Sequence, residues 1–143
     1  MRRSPPEVDA DMPVVWCDGG SQGNPGRAAI GFVIHAPDGE TLAQGSGRIG
    51  TATAAVAEYR AVFAGLSCAL SLRITAIEVR TDSRLLVAQM RGDAPVRSAR
   101  IVPLADETRA LIERFRRVRY RWIPESENGQ AHGLVAEALQ LTA

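Results

Sequence analysis

The sequence predicts one α/β domain built on a mixed five-stranded sheet, three antiparallel strands followed by two parallel crossover strands, with helices on both faces. Three observations lead there. Three strand-like runs near the start are separated only by turn chemistry, which makes an antiparallel meander. From Ala54 the apolar period changes from that of a strand to that of a helix. Two later strand-like runs each follow a helical stretch, so each arrives through a crossover and lies parallel to its neighbour, with a right-handed connection. At 143 residues the chain suits one compact domain. No repeat or low-complexity tract divides it.

The elements follow in order. Residues 1–12, rich in proline and acid, read as a flexible tail, and 13–143 as the domain. Val14-Val15-Trp16-Cys17 is a short β-branched and aromatic run, a strand ending at Asp18. Gly19 to Gly26 is turn chemistry throughout. Ala28 to Ala36 is a second strand, Pro37-Asp38-Gly39-Glu40 a hairpin turn, and Thr41 to Ile49 the returning third strand. Ala54 to Leu72 is a helix with Val56, Tyr59, Phe63, Leu66 and Leu70 in an inward stripe. Ile74 to Thr81 is a fourth strand. Ser83 caps a short helix from Arg84 to Met90, and Gly92-Asp93-Ala94-Pro95 breaks the chain. Ile101 to Phe115 is a further helix, with Leu104, Thr108, Leu111 and Phe115 on one side. Arg117 to Ile123 alternates arginine with Val118, Tyr120 and Trp122, a fifth strand with one wet face. Pro124 ends it, and Glu127 to Leu141 closes the chain as a helix with Leu134, Ala138 and Leu141 inward.

Composition excludes some functions. Hydrophobic residues make up 45% and charged residues 23%, ordinary for a soluble domain. No apolar run approaches the ~18 residues of a membrane helix, so no membrane partner is expected. Arg2 and Arg3 are not followed by the apolar core of a secretory signal. Cys17 and Cys68 suit a reducing compartment and read as small buried side chains, so a cytoplasmic location is expected. The net charge of +1 does not announce a nucleic-acid binder, yet all 17 basic residues are arginine and none is lysine. Arginine forks grip phosphate bidentately; an all-arginine chain also reflects base composition. Arg114, Arg116, Arg117, Arg119 and Arg121 make either a positive patch or a solvated face.

Three acids carry the chemistry. With the first and fourth strands as the parallel central pair, Asp18 and Asp82 end neighbouring strands at one edge, about 4.8 Å apart in strand spacing. Such carboxyl ends are where open sheets place their sites. Glu58, about one turn into the first helix, leans over the same edge. Three converging carboxylates repel one another, and hard divalent cations with oxygen ligands, Mg²⁺ or Mn²⁺, answer that repulsion. Two such ions about 4 Å apart stabilise the attacking and leaving oxygens of phosphoryl transfer. Taken singly, Asp18 is equally a turn residue, Glu58 a solvated helix residue and Asp82 a cap.

Asp18-Gly19-Gly20 leading into Asn24-Pro25-Gly26, then Ala57-Glu58-Tyr59-Arg60-Ala61, then Thr81-Asp82-Ser83, resembles type 1 ribonuclease H, in its short bacterial and archaeal branch. The resemblance runs from Val14 to Leu139 and includes the order of elements. It implies the ribonuclease H-like fold and a metal-dependent endonuclease that cuts the RNA strand of RNA/DNA hybrids and leaves 5′ phosphates. By the same resemblance Asp18, Glu58 and Asp82 bind the two metal ions. The backbone around Gly19, with Asn24, reads the RNA 2′ hydroxyl, and Thr53, Ser83 and Asn128 stand with Gly19 and Asn24 as substrate-contacting positions.

The chain departs from the family's pattern in three places. A fourth acid is expected early in the last helix, in the order Asn, two residues, Ala, Asp; here Asn128-Gly129-Gln130-Ala131 is followed by His132. An imidazole there acts as a ligand that favours Mn²⁺, as a proton shuttle, or as a bystander. Two asparagines usually follow the threonine before the glutamate's helix; here Thr53 is followed by Ala54 and Ala55. The loop after the short helix lacks the usual tryptophan and lysines, leaving Arg91, Arg97 and Arg100 to meet phosphates. Hybrid binding is therefore expected to be weak and salt-sensitive. A second reading is a ribonuclease H-like domain that binds nucleic acid with little or no cutting, favoured by these departures and opposed by the three acids. Strand transfer or junction resolution would use the same fold, but no extra DNA-binding segment supports it.

Overall fold

The computed structural model describes residues 12–140. Five strands form one sheet in the order β3-β2-β1-β4-β5. β1 (Val14–Gly23), β2 (Gly26–His35) and β3 (Thr41–Ala52) are antiparallel neighbours. β4 (Ala76–Thr81) and β5 (Arg117–Trp122) run parallel to β1. The helices are α1 (Ala54–Ser71), α2 (Arg84–Arg91), α3 (Val102–Ile112) and α4 (Gly129–Gln140). A 3₁₀ turn, Glu125–Glu127, joins β5 to α4. This is the expected mixed sheet with its two crossovers. Most of the predicted tail lies outside the described residues; Met12, placed in it, is buried.

The larger core lies on one face of the sheet. Val15, Cys17, Ile34, Ile77 and Val79 meet Tyr59, Val62 and Leu66 of α1 there, with Ala105 and Leu111 of α3 packed in the same cluster. Of the expected stripe on α1, Tyr59 and Leu66 are buried, Val56 and Leu70 pack against the core, and small residues share the inward face. Ala57, Ala61, Gly65 and Ala69 are buried, whereas Phe63 is exposed. Small side chains at every fourth position let the helix lie close to the sheet, and a Cβ on Gly65 would come within 2.8 Å of Val15. α4 covers the other face over β1, β2 and β3, burying Ala131, Val135 and Ala138. Leu134 is half-buried, and Leu141 lies outside the described residues.

Several boundaries move. β1 does not stop at Asp18: Gly19 to Gly23 continue it because antiparallel pairing with β2 runs without a break to Gly23 opposite Gly26. The turn is therefore only Asn24 and Pro25, joined by a cis peptide bond. β3 likewise runs on to Ala52 opposite Gly26. α3 stops at Ile112 rather than Phe115. The last helix starts at Gly129, because Pro124 leads into a 3₁₀ turn first.

Candidate active site

β1 and β4 pair only over Val14 to Trp16 against Glu78 to Arg80. Two residues past the last pair on each strand stand Asp18 and Asp82, level with one another. Asp82 has just left β4, but Asp18 is mid-strand, still paired with Gly31 of β2. The site thus opens where β1 loses its parallel neighbour. Asp18 is buried. The Asp82 carbonyl accepts from Trp122 Nε1 at 3.1 Å, and the Arg84 guanidinium lies 3.7 Å above the Trp122 ring. Ser83 Oγ accepts from the Leu86 amide and so caps α2.

Glu58 reaches this edge because the start of α1 is fastened there. Thr53 Oγ1 accepts from the Val56 amide at 3.2 Å, and Asn24 Oδ1, from the β1–β2 turn, accepts from the Ala54 amide at 2.9 Å. These are the orphan donors of a helix N-terminus. Gly19 permits the approach: a Cβ there would sit 2.3 Å from the Ala57 carbonyl and 2.6 Å from the Glu58 nitrogen. The Ser83 hydroxyl faces the Glu58 carboxylate and favours its charged form.

α4 brings the fourth group. Asn128, fully buried, donates from Nδ2 to the Cys17 carbonyl at 2.8 Å, and its own carbonyl accepts from the His132 amide. The helix start is thereby pinned to β1 one residue before Asp18. His132 Nδ1 lies 3.2 Å from Asp18 Oδ2, with its side chain 57% exposed. Asn128 Oδ1 is buried with no hydrogen-bond partner among the described residues.

The acids feel one another. Burial first, then the Asp82 charge, pushes the Asp18 carboxyl up from 3.8 to about 6, against the opposing pull of His132. Burial and Asp82 push Glu58 from 4.5 to about 7. Asp82 is raised by burial and by Glu125. Among the described residues no three His, Cys, Asp or Glu side chains close into a cage for a metal ion. The donor set still fits a hard divalent cation: carboxylate oxygens from three elements share one edge, where burial and mutual repulsion disfavour their charged forms until a cation offsets them.

A groove of about 970 Å³ adjoins the acids, and Asn24, Thr53, Glu58 and Ser83 line it. Arg97 and Arg100 also line it. Arg91 does not join them, because its guanidinium bonds the Tyr120 carbonyl. Glu125 was not among the residues singled out from sequence. Its signal was available: β4 and β5 end level, Thr81 opposite Trp122, so the residues after Trp122 come to the edge that holds Asp82.

Comparison with known proteins agrees with this architecture. The reverse transcriptase-like family pattern matches residues 16–138. A bifunctional protein of Mycobacterium tuberculosis is 41% identical over 131 residues, 91% of this chain and 36% of that protein. Ribonuclease HI of Halobacterium salinarum is 37% identical over 129 residues, 87% of this chain and 62% of that protein. The chain thus spans about a third of the length of the mycobacterial relative. Among solved structures, the N-terminal RNase H domain of a Mycobacterium tuberculosis protein superposes with a TM-score of 0.88 at 40% identity, covering 91% of this chain and 94% of that one. The LC11 RNase H1 in complex with an RNA/DNA hybrid superposes with a TM-score of 0.86 at 34% identity, covering 91% and 98%. With the strand order, the crossovers and a matched stretch that takes in all three acids and His132, the chain belongs to the type 1 ribonuclease H family.

Proposed function

We propose that the protein hydrolyses the RNA strand of RNA/DNA hybrids by a two-metal-ion mechanism and leaves 5′ phosphates. The observation that supports this best is the meeting of Asp18, Glu58 and Asp82, from a strand, a helix and a strand end, at one edge beside an open groove. The relative solved with an RNA/DNA hybrid supports the choice of substrate.

Asp18, Glu58 and Asp82 are the proposed holders of two Mg²⁺ or Mn²⁺ ions. When bound, such ions place positive charge at the scissile phosphate and lower the pKa of the attacking water. The chain's own residues do the rest. Asp18, anchored mid-strand, and Asp82, fixed through its carbonyl, set the position of the reacting phosphate. Glu58 gives up its proton as positive charge arrives, because its carboxyl titrates at about 7 without it. His132, its Nδ1 3.2 Å from Asp18, would serve either as a further ligand, tilting the preference toward Mn²⁺ because imidazole nitrogen is a softer donor than carboxylate oxygen, or as a proton shuttle. Arg97 and Arg100 meet backbone phosphates from the groove wall. The free thiols of Cys17 and Cys68 suit work in the cytoplasm, and no helix of the described residues is long and apolar enough to cross a membrane.

The test is cleavage of an end-labelled RNA/DNA hybrid in Mg²⁺ and in Mn²⁺, with double-stranded DNA and double-stranded RNA alongside. Cutting of the RNA strand alone, abolished by Asp82→Asn, is the expected result. His132→Ala should lose more rate in Mn²⁺ than in Mg²⁺; equal rates in both metals, before and after substitution, would remove His132 from the mechanism. The second reading, a hybrid-binding domain with weak or no cutting, draws on the exposed imidazole at the fourth position and on Ala54 and Ala55. A folded protein that binds hybrid and cuts with neither metal would establish it.

A further inference from the structure

The segment from Ala94 to Arg100 forms one wall of the groove and carries Arg97 and Arg100. It has no helix or strand of its own. At one end it leaves α2 through Gly92, in the left-handed conformation, with the Asp93 and Ala94 amides on the Ala88 carbonyl. At the other end it is anchored by buried Ile101. Between these points a side chain of α2 holds it: Gln89 Nε2 donates to the Pro95 carbonyl at 3.2 Å. The same Gln89 accepts, on Oε1, the hydroxyl of Tyr59 at 2.7 Å. Tyr59 follows Glu58 in the chain and is itself buried.

Gln89 is therefore a strut with two ends, one on the residue next to Glu58 and one on the wall that bears the two arginines. A buried amide is an expensive filler for that place, since each of its polar groups must find a partner. An apolar residue would serve a purely packed core. We propose that Gln89 is a positioning residue for substrate grip: it registers Arg97 and Arg100 against the catalytic edge, so that phosphates bound on the wall set the strand at the acids. This deepens the reading of the groove as the hybrid's binding surface and rests on that reading. Gln89 also lines the groove, but its side-chain bonds go to Tyr59 and the Pro95 carbonyl and none goes to the acids. Losing it should weaken binding while leaving the chemical step alone.

The experiment is a pair of variants measured in two backgrounds. Gln89→Met keeps the length of the side chain and removes both bonds. Gln89→Asn keeps the polarity but is too short to span both partners, and it serves if the first variant melts too low to assay. In the wild-type background either should raise the KM for hybrid by about three- to tenfold, the effect of one lost hydrogen bond on affinity, with kcat within about twofold. The slope of log affinity against log salt should become shallower by about 1 to 2, as one or two phosphate contacts loosen. In an Arg97→Ala/Arg100→Ala background the same substitution should change KM no further. An equal rise in KM in both backgrounds, an unchanged salt slope, or a fall in kcat at constant KM would each overturn the proposal. Binding to uncleaved hybrid by fluorescence anisotropy separates it from the proposed function. A wild-type chain that binds but does not cut refutes the nuclease and leaves the Gln89 comparison readable as affinity. One that does neither refutes both.

Discussion

Gly19 shows how one atom decides the site. With no side chain it lets the first turn of α1 lie on β1, and a methyl group there would overlap the Ala57 carbonyl. Gly19→Ala is expected to cost about 1–3 kcal/mol, as overpacking does. It should lower activity further by lifting Glu58 from the edge, so specific activity well below the melting temperature should fall along with the melting temperature itself. The acids carry a second prediction. Asp18 titrates at about 6 and Glu58 at about 7 in the fold, against 3.8 and 4.5 ordinarily. The folded chain therefore binds protons more tightly than the unfolded one. The resulting stability is complete below about pH 4 and is lost as pH rises through 6 to 7. Metal-free protein should accordingly melt higher at pH 5 than at pH 8, and Asp18→Asn should narrow that difference by on the order of 1–3 kcal/mol; thermal melts across pH in chelator measure both. Asp18, Glu58 and Asp82 were legible in the sequence because each sits in a short motif whose element could be assigned. Glu125 was harder to read, because its signal is not local: it depends on β4 and β5 ending level, so that the chain after Trp122 comes to the edge that holds Asp82.

At the scale of the element, the start of α1 gathers much of the site's precision. Thr53 and Asn24, read from sequence as substrate contacts, both spend side-chain oxygens on amides at this helix end. Thr53→Ala should cost about 1 kcal/mol, seen as a lower melting temperature; a loss of hybrid affinity beyond what that destabilisation explains would show a direct substrate role as well. The apolar period announced the helix and most of its inward face, Val56, Tyr59, Leu66 and Leu70, but placed Phe63 inward as well. Hydrophobicity favours Phe63, whereas close packing on a sheet favours Ala57, Ala61, Gly65 and Ala69, and here proximity wins. β1 was read too short for a related reason. Its glycines look like a turn in isolation, and only the partner strand, pairing residue for residue to Gly23, makes them a strand.

Across the whole molecule, crossover logic delivered the sheet order, because two helical connections onto a meander leave few arrangements. Arg97 and Arg100 were read as phosphate contacts, but the course of the wall that carries them was not legible, since Ala94 to Arg100 has no period to read and takes its place from Gln89 and Ile101. With Arg97 and Arg100 as its phosphate contacts, hybrid affinity should fall with salt at a log–log slope of roughly −2; a slope as steep as that of a large basic interface would point to grip from elsewhere. The parting of β1 from β4 after Trp16 and Arg80 has a consequence of its own. Up to that rung the two strands behave as a closed zipper, and Asn128 on the Cys17 carbonyl marks its stop. Because Asp18 and Asp82 stand two residues beyond the last closed tooth, their separation is a gauge set by backbone bonding rather than by hinge or lid. The proposed catalytic edge, made in this way, is set before any substrate arrives.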